Sequence, residues 1–235
     1  MKNAFLAVCA MMAAVWAVPA WADGLSLDKV IIDFKPSDKP IDNINVTNQN
    51  SKTLKVTVNA VEVLNSDLPD QKEIPAEKLV VAPKSFEIAP GETRPVRLVL
   101  RGFEDDREAV YRVRFQPSEP TEQSVQEMDG KSVQVNVVVT MGALIMAAPR
   151  NVREDLKFVR EGDVIHFSNN GNVTAQIQRE DYCTEDKKVC VPLEGMRIFP
   201  GVKYDMKVPD DLKTLAFTQT VLVGGKYSKL SYPAP

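Results

Sequence analysis

The sequence predicts an all-β protein built as two immunoglobulin-like β-sandwich domains in tandem. Three observations carry the prediction. Seven or so short runs rich in valine and isoleucine, separated by turn residues, occupy roughly 125 residues after the leader, the density expected of such a sandwich. No segment before residue 149 sustains a helical period. At Pro149 the charged stretch "RNVREDLKF" marks a change of character, and strand-like runs then resume over about 85 residues.

The elements follow in order. "MKNAFLAVCAMMAAVWAVPAWA" (1–22) has one lysine, an apolar run from Ala4 to Val18, and then Ala20-Trp21-Ala22. That is a secretory leader with an A-x-A cleavage site, so the mature chain is expected to start at Asp23. The run is short for a membrane anchor and nothing basic follows it, so no membrane insertion is expected after cleavage. Removing 22 of 235 residues leaves 213, enough for two domains of about 100 each, assigned here to 23–148 and 149–235.

In the first domain the strands are "LSLDKVIIDF" (25–34), "INVTN" (44–48), "LKVTVNAVEVL" (54–64) and "KLVVAP" (78–83). "SFEIAPGETRPVRLVL" (85–100) turns at Ala89-Pro90-Gly91. "AVYRVRFQP" (109–117) puts Tyr111, Val113 and Phe115 on one face and Arg112 and Arg114 on the other. The polar, acidic segment 118–131 has no apolar period and predicts a mobile loop.

Then comes "SVQVNVVVTMGALIMAAP" (132–149), eighteen residues without a charge. Val133, Val135, Val137, Val139 and Met141 alternate with Gln134, Asn136, Val138 and Thr140, which predicts one long half-buried strand over 132–147. A strand usually runs about 5–6 residues. Lysine, proline or a charge normally guards an exposed edge strand, and here none does. Either the alternation faces the protein's own core, or something else covers it.

The second domain continues in the same style. Its runs are "KFVREGDVIHFSN" (157–169), "VTAQIQREDYC" (173–183), "CVPLEGMRIFPGVKYDMKVP" (190–209), "KTLAFTQTVL" (213–222) and "GKYSKLSYP" (225–233). Pro200-Gly201 echoes Pro90-Gly91, an echo too short to establish duplication.

Composition excludes several function classes. With 29 Lys and Arg against 32 Asp and Glu the net charge is −3, and loss of Lys2 with the leader makes it −4. No basic stripe exists for nucleic acid. Cys9 leaves with the leader, so Cys183 and Cys190 remain as an even pair in an exported chain. A disulfide is the natural reading, and it implies an oxidising space such as a bacterial periplasm. A zinc site would need two further ligands, and His166 is the one histidine. His166 would also have to serve any hydrolase triad, and no G-x-S-x-G, phosphate loop or H-E-x-x-H occurs. The expectation is a protein without enzymatic activity, cofactor or metal.

Several ordered pieces together resemble one family, the periplasmic chaperones of the chaperone–usher pathway (the PapD-like superfamily), which fold and deliver pilus or fimbrial subunits. "LSLDKVIIDF" is similar to the family's first strand, and "FEIAPGETRPVRLVL" to its proline-glycine turn and the following strand with Arg97. "DREAVYRVRF" is similar to the sixth strand, and "VQVNVVVTMGALIMAAP" to the donor strand that ends in a proline at the domain junction. "FSNNGNVTAQI", the cysteine pair and "IFPGVKYDMKVP" extend the resemblance into the second domain.

The resemblance implies a boomerang of two immunoglobulin-like domains. It also implies a periplasmic chaperone that completes an incomplete pilus subunit by lending its own strand. Val133, Val135, Val137 and Val139, with Met141 as a fifth, are then the donor residues. Partners would be pilus or fimbrial subunits and an outer-membrane usher, and self-association of the free form would cover the same strand. The alternative is a pilus subunit or adhesin with complete sandwiches. A subunit carries an alternating extension at its mature N-terminus, and "DGLSLDKVIIDFKPSDKP" is short and charged.

In the best-known branch of the family, two basic residues anchor the client's C-terminal carboxylate, one on the first strand and one near the end of the donor strand. The matching positions here are Ile31 and Leu144, both apolar, and "GALIMAAPR" is similar instead to the alternative or archaic branches. A buried carboxylate still needs charge-assisted donors. Arg112 is the first candidate, with Arg150 and Lys29 second. Arg112 and Arg114 could equally form a solvated face, and Arg150 could bridge the domains through an acid such as Glu108.

Overall fold

The computed structural model describes residues 24–64, 71–118, 122–128, 131–184 and 190–235, with the backbone alone for 122–128 and 131–136. The predicted leader lies outside the described residues. Among the described residues, twelve strands precede the junction. They begin with β1 (Leu25–Leu27), β2 (Ile31–Phe34), β3 (Ile41–Asn48), β4 (Leu54–Leu64), β5 (Lys72–Pro75) and β6 (Leu79–Ala82). They continue with β7 (Ser85–Ile88), β8 (Thr93–Leu100), β9 (Ala109–Pro117), β10 (Glu122–Met128), β11 (Lys131–Val137) and β12 (Met141–Ala147).

Two sheets face each other across the first core. One runs β1-β3-β8-β6; the other runs β2-β12-β9-β4-β5, with β7 also on β4. Period-two burial drives the arrangement. On β4, Leu54, Val56 and Val58 are buried while Lys55, Thr57 and Asn59 are exposed. Val96, Leu98 and Leu100 of β8 answer them from the opposite sheet.

The second half contains β13 (Leu156–Glu161), β14 (Val164–Asn169), β15 (Ala175–Ile177), β16 (Glu180–Cys183) and β17 (Cys190–Leu193). β18 (Met196–Ile198), β19 (Lys203–Lys207), β20 (Phe217–Val223) and β21 (Lys226–Tyr232) complete it. Sheets β13-β14-β19 and β18-β15-β20-β21 enclose a separate core. Tyr232 sits at its centre, edge-on to Phe158 and Phe167 and stacked at a tilt on Phe217. Ala147 closes the first core and Ala148 packs against the second, so the two cores meet within one peptide unit. The all-β class with two immunoglobulin-like domains is therefore the observed one. Among the described residues, no helix is long and apolar enough to cross a membrane.

Both domains turn one corner in the same way. Gly91 N–H donates to Asn48 O at 2.8 Å, and Gly201 N–H donates to Asn169 O at 2.8 Å. Both glycines have positive φ, 72° and 83°, which a side chain would resist. The short Pro-Gly echo in the sequence marks this shared corner.

Four local expectations differ from the structure. Residues 25–34 form two strands in different sheets: β1 pairs with β3, and β2 runs parallel to β12. Residues 157–169 are a hairpin, β13–β14, turning at Gly162 with φ 60°. Segment 118–131 contains β10, which pairs antiparallel with β11, in place of a continuous mobile loop. A ladder is made by main-chain groups, so a polar strand with no apolar period can still form one. The single long strand over 132–147 is two, β11 and β12, separated by Val138–Thr140. β12 has a neighbour on each side, whereas β11 belongs to a two-stranded ribbon.

Candidate functional site

The ribbon and the sheet beside it create an open edge. β2 covers β12 from Leu144 to Ala147, in register Leu144↔Ile31 through Ala147↔Phe34, and Leu144 N–H donates to Val30 O at 2.9 Å. Before Leu144 that cover stops. Residues Met141–Ala143 pair with β9 alone, and β11 pairs with β10 alone, among the described residues. Among the described residues, neither β11 nor Met141–Ala143 is paired with a third strand, over a stretch of roughly 40 Å.

Its apolar side chains split between two environments. Val137, Val138 and Val139 are 40%, 45% and 39% exposed, a contiguous apolar run on the surface. Met141 is half-buried against the first core, and Ala143, Ile145 and Ala147 of the same parity are fully inside it. Val133 and Val135 lie opposite Gln126 and Ser124 in the ribbon, and their side chains are outside the described residues. The five residues named from the sequence therefore span ribbon, junction and core strand.

The three basic candidates each have a partner within the chain. Lys29 Nζ meets Asp42 of β3 at 2.6 Å. Arg150 lies 3.6 Å from Asp105 and is well exposed. Arg112 stands on β9 directly between Leu144 of β12 and Val61 of β4. It is thus in one row with Ile31 and Leu144, the two apolar positions where the best-known branch has its basic pair. Its guanidinium holds Glu73 of β5 through Nη1 and donates to Gln71 Oε1 through Nη2 at 2.9 Å. Arg114, two residues on, donates to both Glu73 oxygens at 2.7 and 2.6 Å. The Arg114 guanidinium, ahead of Arg112, holds the Glu73 carboxyl below the usual carboxylate range. Sequence reasoning missed Glu73. It sits in "DQKEIP", which reads as a polar linker, and only the pairing of β5 with the end of β4 brings it to the arginines.

Between the domains, Glu108 accepts from Thr174 N–H at 3.2 Å and from the Thr174 hydroxyl. Asn172 Nδ2 donates to Asp106 O at 3.1 Å and Asn151 O at 2.8 Å. A cleft of about 160 Å³ adjoins this latch, with Asp33, Lys35 and Asp38 on the first-domain side. Glu108 hydrogen-bonds Thr174 and Arg150 forms a long ion pair with Asp105, so the suggested Arg150–Glu108 bridge is not the contact made. Arg150 projects to solvent, while Thr174 approaches Glu108 from the packed side.

Burial raises the Glu108 carboxyl, the Thr174 bonds oppose the shift, and the Asp33 charge adds to it. Burial raises Asp33 as well, against Arg197 and Lys35. A raised carboxyl favours the folded state when protonated. Its contribution is fully present below the ordinary value of 4.5 and is lost as pH rises through the shifted value. Thermal unfolding of wild type and Glu108→Gln should therefore diverge with pH. Wild type gains relative to the variant as pH falls from 7 toward about 5. A pH-independent gap would remove Glu108 as the cause.

Cys183 and Cys190 form a disulfide across the antiparallel pair β16–β17, as the even pair left after the predicted leader suggested. Among the described residues, no group of three His, Cys, Asp or Glu side chains is placed to hold a metal.

The family described as "Pili and flagellar-assembly chaperone, PapD N-terminal domain" matches residues 24–153. No curated protein matches the chain. Among solved structures, the class 5 fimbriae chaperone CfaA is similar at 18% identity and TM-score 0.55, covering 90% of this chain and 100% of its own. The E. coli chaperone DraB is similar at 19% identity and TM-score 0.56, covering 91% and 96%. A chain of the Salmonella enterica complex of SafA pilin with the SafB chaperone is similar at 16% and TM-score 0.58, covering 90% and 97%. At these identities the structures speak for the fold. The family match takes in more than half of the chain and includes every strand of the open edge: this protein belongs to the pilus-assembly chaperones of the PapD family.

Proposed function

We propose that this chaperone works in the periplasm and holds a pilus subunit by lending it the open edge formed by β11 and the start of β12. The observation that carries the reading is the surface run Val137–Val139, at the end of β11 and just before a β12 that is locked in the core. An apolar edge without a guarding charge invites pairing, and a client strand laid along it would bury alternate valines. Each fully buried valine contributes about 1.5–3 kcal/mol gross, so Val133, Val135, Val137 and Val139 together give roughly 6–12 kcal/mol before ordering costs. Rigid anchorage of β12 lowers those costs on the chaperone's side. The SafA–SafB complex, a pilin with its chaperone, supports the same kind of partner here. No chemistry is catalysed and no cofactor is used; the client passes to an outer-membrane usher, where the next subunit's extension replaces the lent strand. Arg112, assisted by Arg114, receives the client's terminal carboxylate.

The test is co-expression with subunits encoded nearby, followed by capture of periplasmic complexes. Wild type should yield a one-to-one complex. Val137→Asp places a charge in the buried interface and should weaken it by at least about 100-fold, while the free protein keeps its circular dichroism. A folded Val137→Asp variant that captures subunits as well as wild type would rule out strand donation through this edge.

A further inference from the structure

The Arg112–Arg114 fork already holds a carboxylate, that of Glu73. Both Glu73 oxygens are engaged: one accepts from Arg112 Nη1 and Arg114 Nη2, the other from Arg114 Nη1. Two guanidiniums directed at one carboxylate provide the donor set a peptide C-terminus would require. The contact is accessible, with side chains 33%, 35% and 26% exposed for Arg112, Arg114 and Glu73. Its holder is peripheral. β5 has four residues, lies last in its sheet and, among the described residues, pairs only with Val61–Leu64 of β4. The arginines, by contrast, stand on β9, between β12 and β4 and inside the sheet.

From this asymmetry we infer that Glu73 is a built-in competitor for the client's carboxylate, occupying the arginine fork until a bound subunit displaces it. The inference rests on the anchoring role proposed above for Arg112 and adds the control of that site. A solvent-accessible ion pair of this kind is held weakly enough to exchange. Being in the same chain, it nonetheless keeps stray carboxylates out by its high effective concentration. A free anion must overcome that competition alone. A subunit paired along β11 brings its own carboxylate into the same intramolecular regime, so displacement is reserved for a client already paired in register. The row Ile31–Leu144–Arg112 supplies the geometry: Arg112 stands one strand in from Leu144, where β2 meets the end of the open edge.

Nitrogen-15 NMR of the arginine guanidinium groups tests this with acetate as the probe and chloride at matched ionic strength as the control. In wild type, acetate should barely move the Arg112 and Arg114 signals. In Glu73→Gln, and in Glu73→Ala as a second variant, both signals should titrate with an apparent Kd at least about tenfold lower. Equal titration in wild type and variants would overturn the competitor role while leaving the anchor intact. No titration in any form would show that the fork does not receive carboxylates, and would overturn both. Strand donation is read separately by subunit capture with Val137→Asp, so its failure is distinguishable from either.

Discussion

Ile145→Asp is expected to unfold the first domain. Ile145 is fully buried on β12, flanked by Ile32 of β2 and Tyr111 of β9. The substitution removes an aliphatic side chain from a closed core, a loss of about 2–5 kcal/mol for truncation alone. It then leaves a carboxyl among apolar neighbours, ionised at high cost or protonated without a partner. The sum is at least about 5 kcal/mol, comparable to the whole stability of a domain this size. Val137, eight residues earlier in the same apolar stretch, is 40% exposed, so an aspartate there should change stability by no more than about 0.5 kcal/mol. Urea unfolding followed by circular dichroism separates the two. If Ile145→Asp unfolds with the wild-type midpoint, β12 is not the core strand that fixes the open edge in place.

Asn48→Ala and Asn169→Ala should each destabilise one domain and spare the other. Asn48 Nδ2 donates to Lys52 O at 2.8 Å and Ile88 O at 2.9 Å, while its Oδ1 accepts from Asn50 N–H at 2.9 Å. Asn169 repeats the pattern. Its Nδ2 donates to Val173 O at 2.9 Å and Ile198 O at 2.8 Å, and its Oδ1 accepts from Gly171 N–H at 3.0 Å. Both side chains are buried, so alanine would strand two carbonyls and one N–H at each corner. The expected cost is about 2–4 kcal/mol per domain. Hydrogen exchange read domain by domain checks it. A loss of protection spread equally over both halves would mean that the corners do not stabilise their domains separately.

How much of this was legible in the sequence depends on range. Val56 and Val58 declare the buried face of β4 because period-two alternation is a property of one strand. Cys183 and Cys190 declare their bond as the even pair left once the predicted leader is set aside. Arg112 was legible as a candidate because it opens a strand that runs antiparallel to the next one and so lies beside that strand's C-terminal end. The division of residues 25–34 was not legible, since Leu25 and Ile32 carry the same apolar signal and differ only in the sheet each joins. β10 was hidden for the converse reason: its pairing is made by main-chain groups, which leave no mark on side-chain polarity.

By itself, then, the sequence determined the all-β class, the cysteine pair, the uncharged stretch from 132 to 149 and the ordered pieces that resemble one chaperone family. Each is a local pattern or a composition, legible without knowing what lies opposite. Only the tertiary structure decided where that stretch passes from open edge to core. The transition falls where β2 arrives beside Leu144, a strand more than a hundred residues earlier in the chain. Tertiary pairing also joined Glu73 to Arg112 and Arg114, and Glu108 to Thr174. Charge contacts between distant strands depend on register and on which strand is the neighbour, and alternation along a single strand encodes neither.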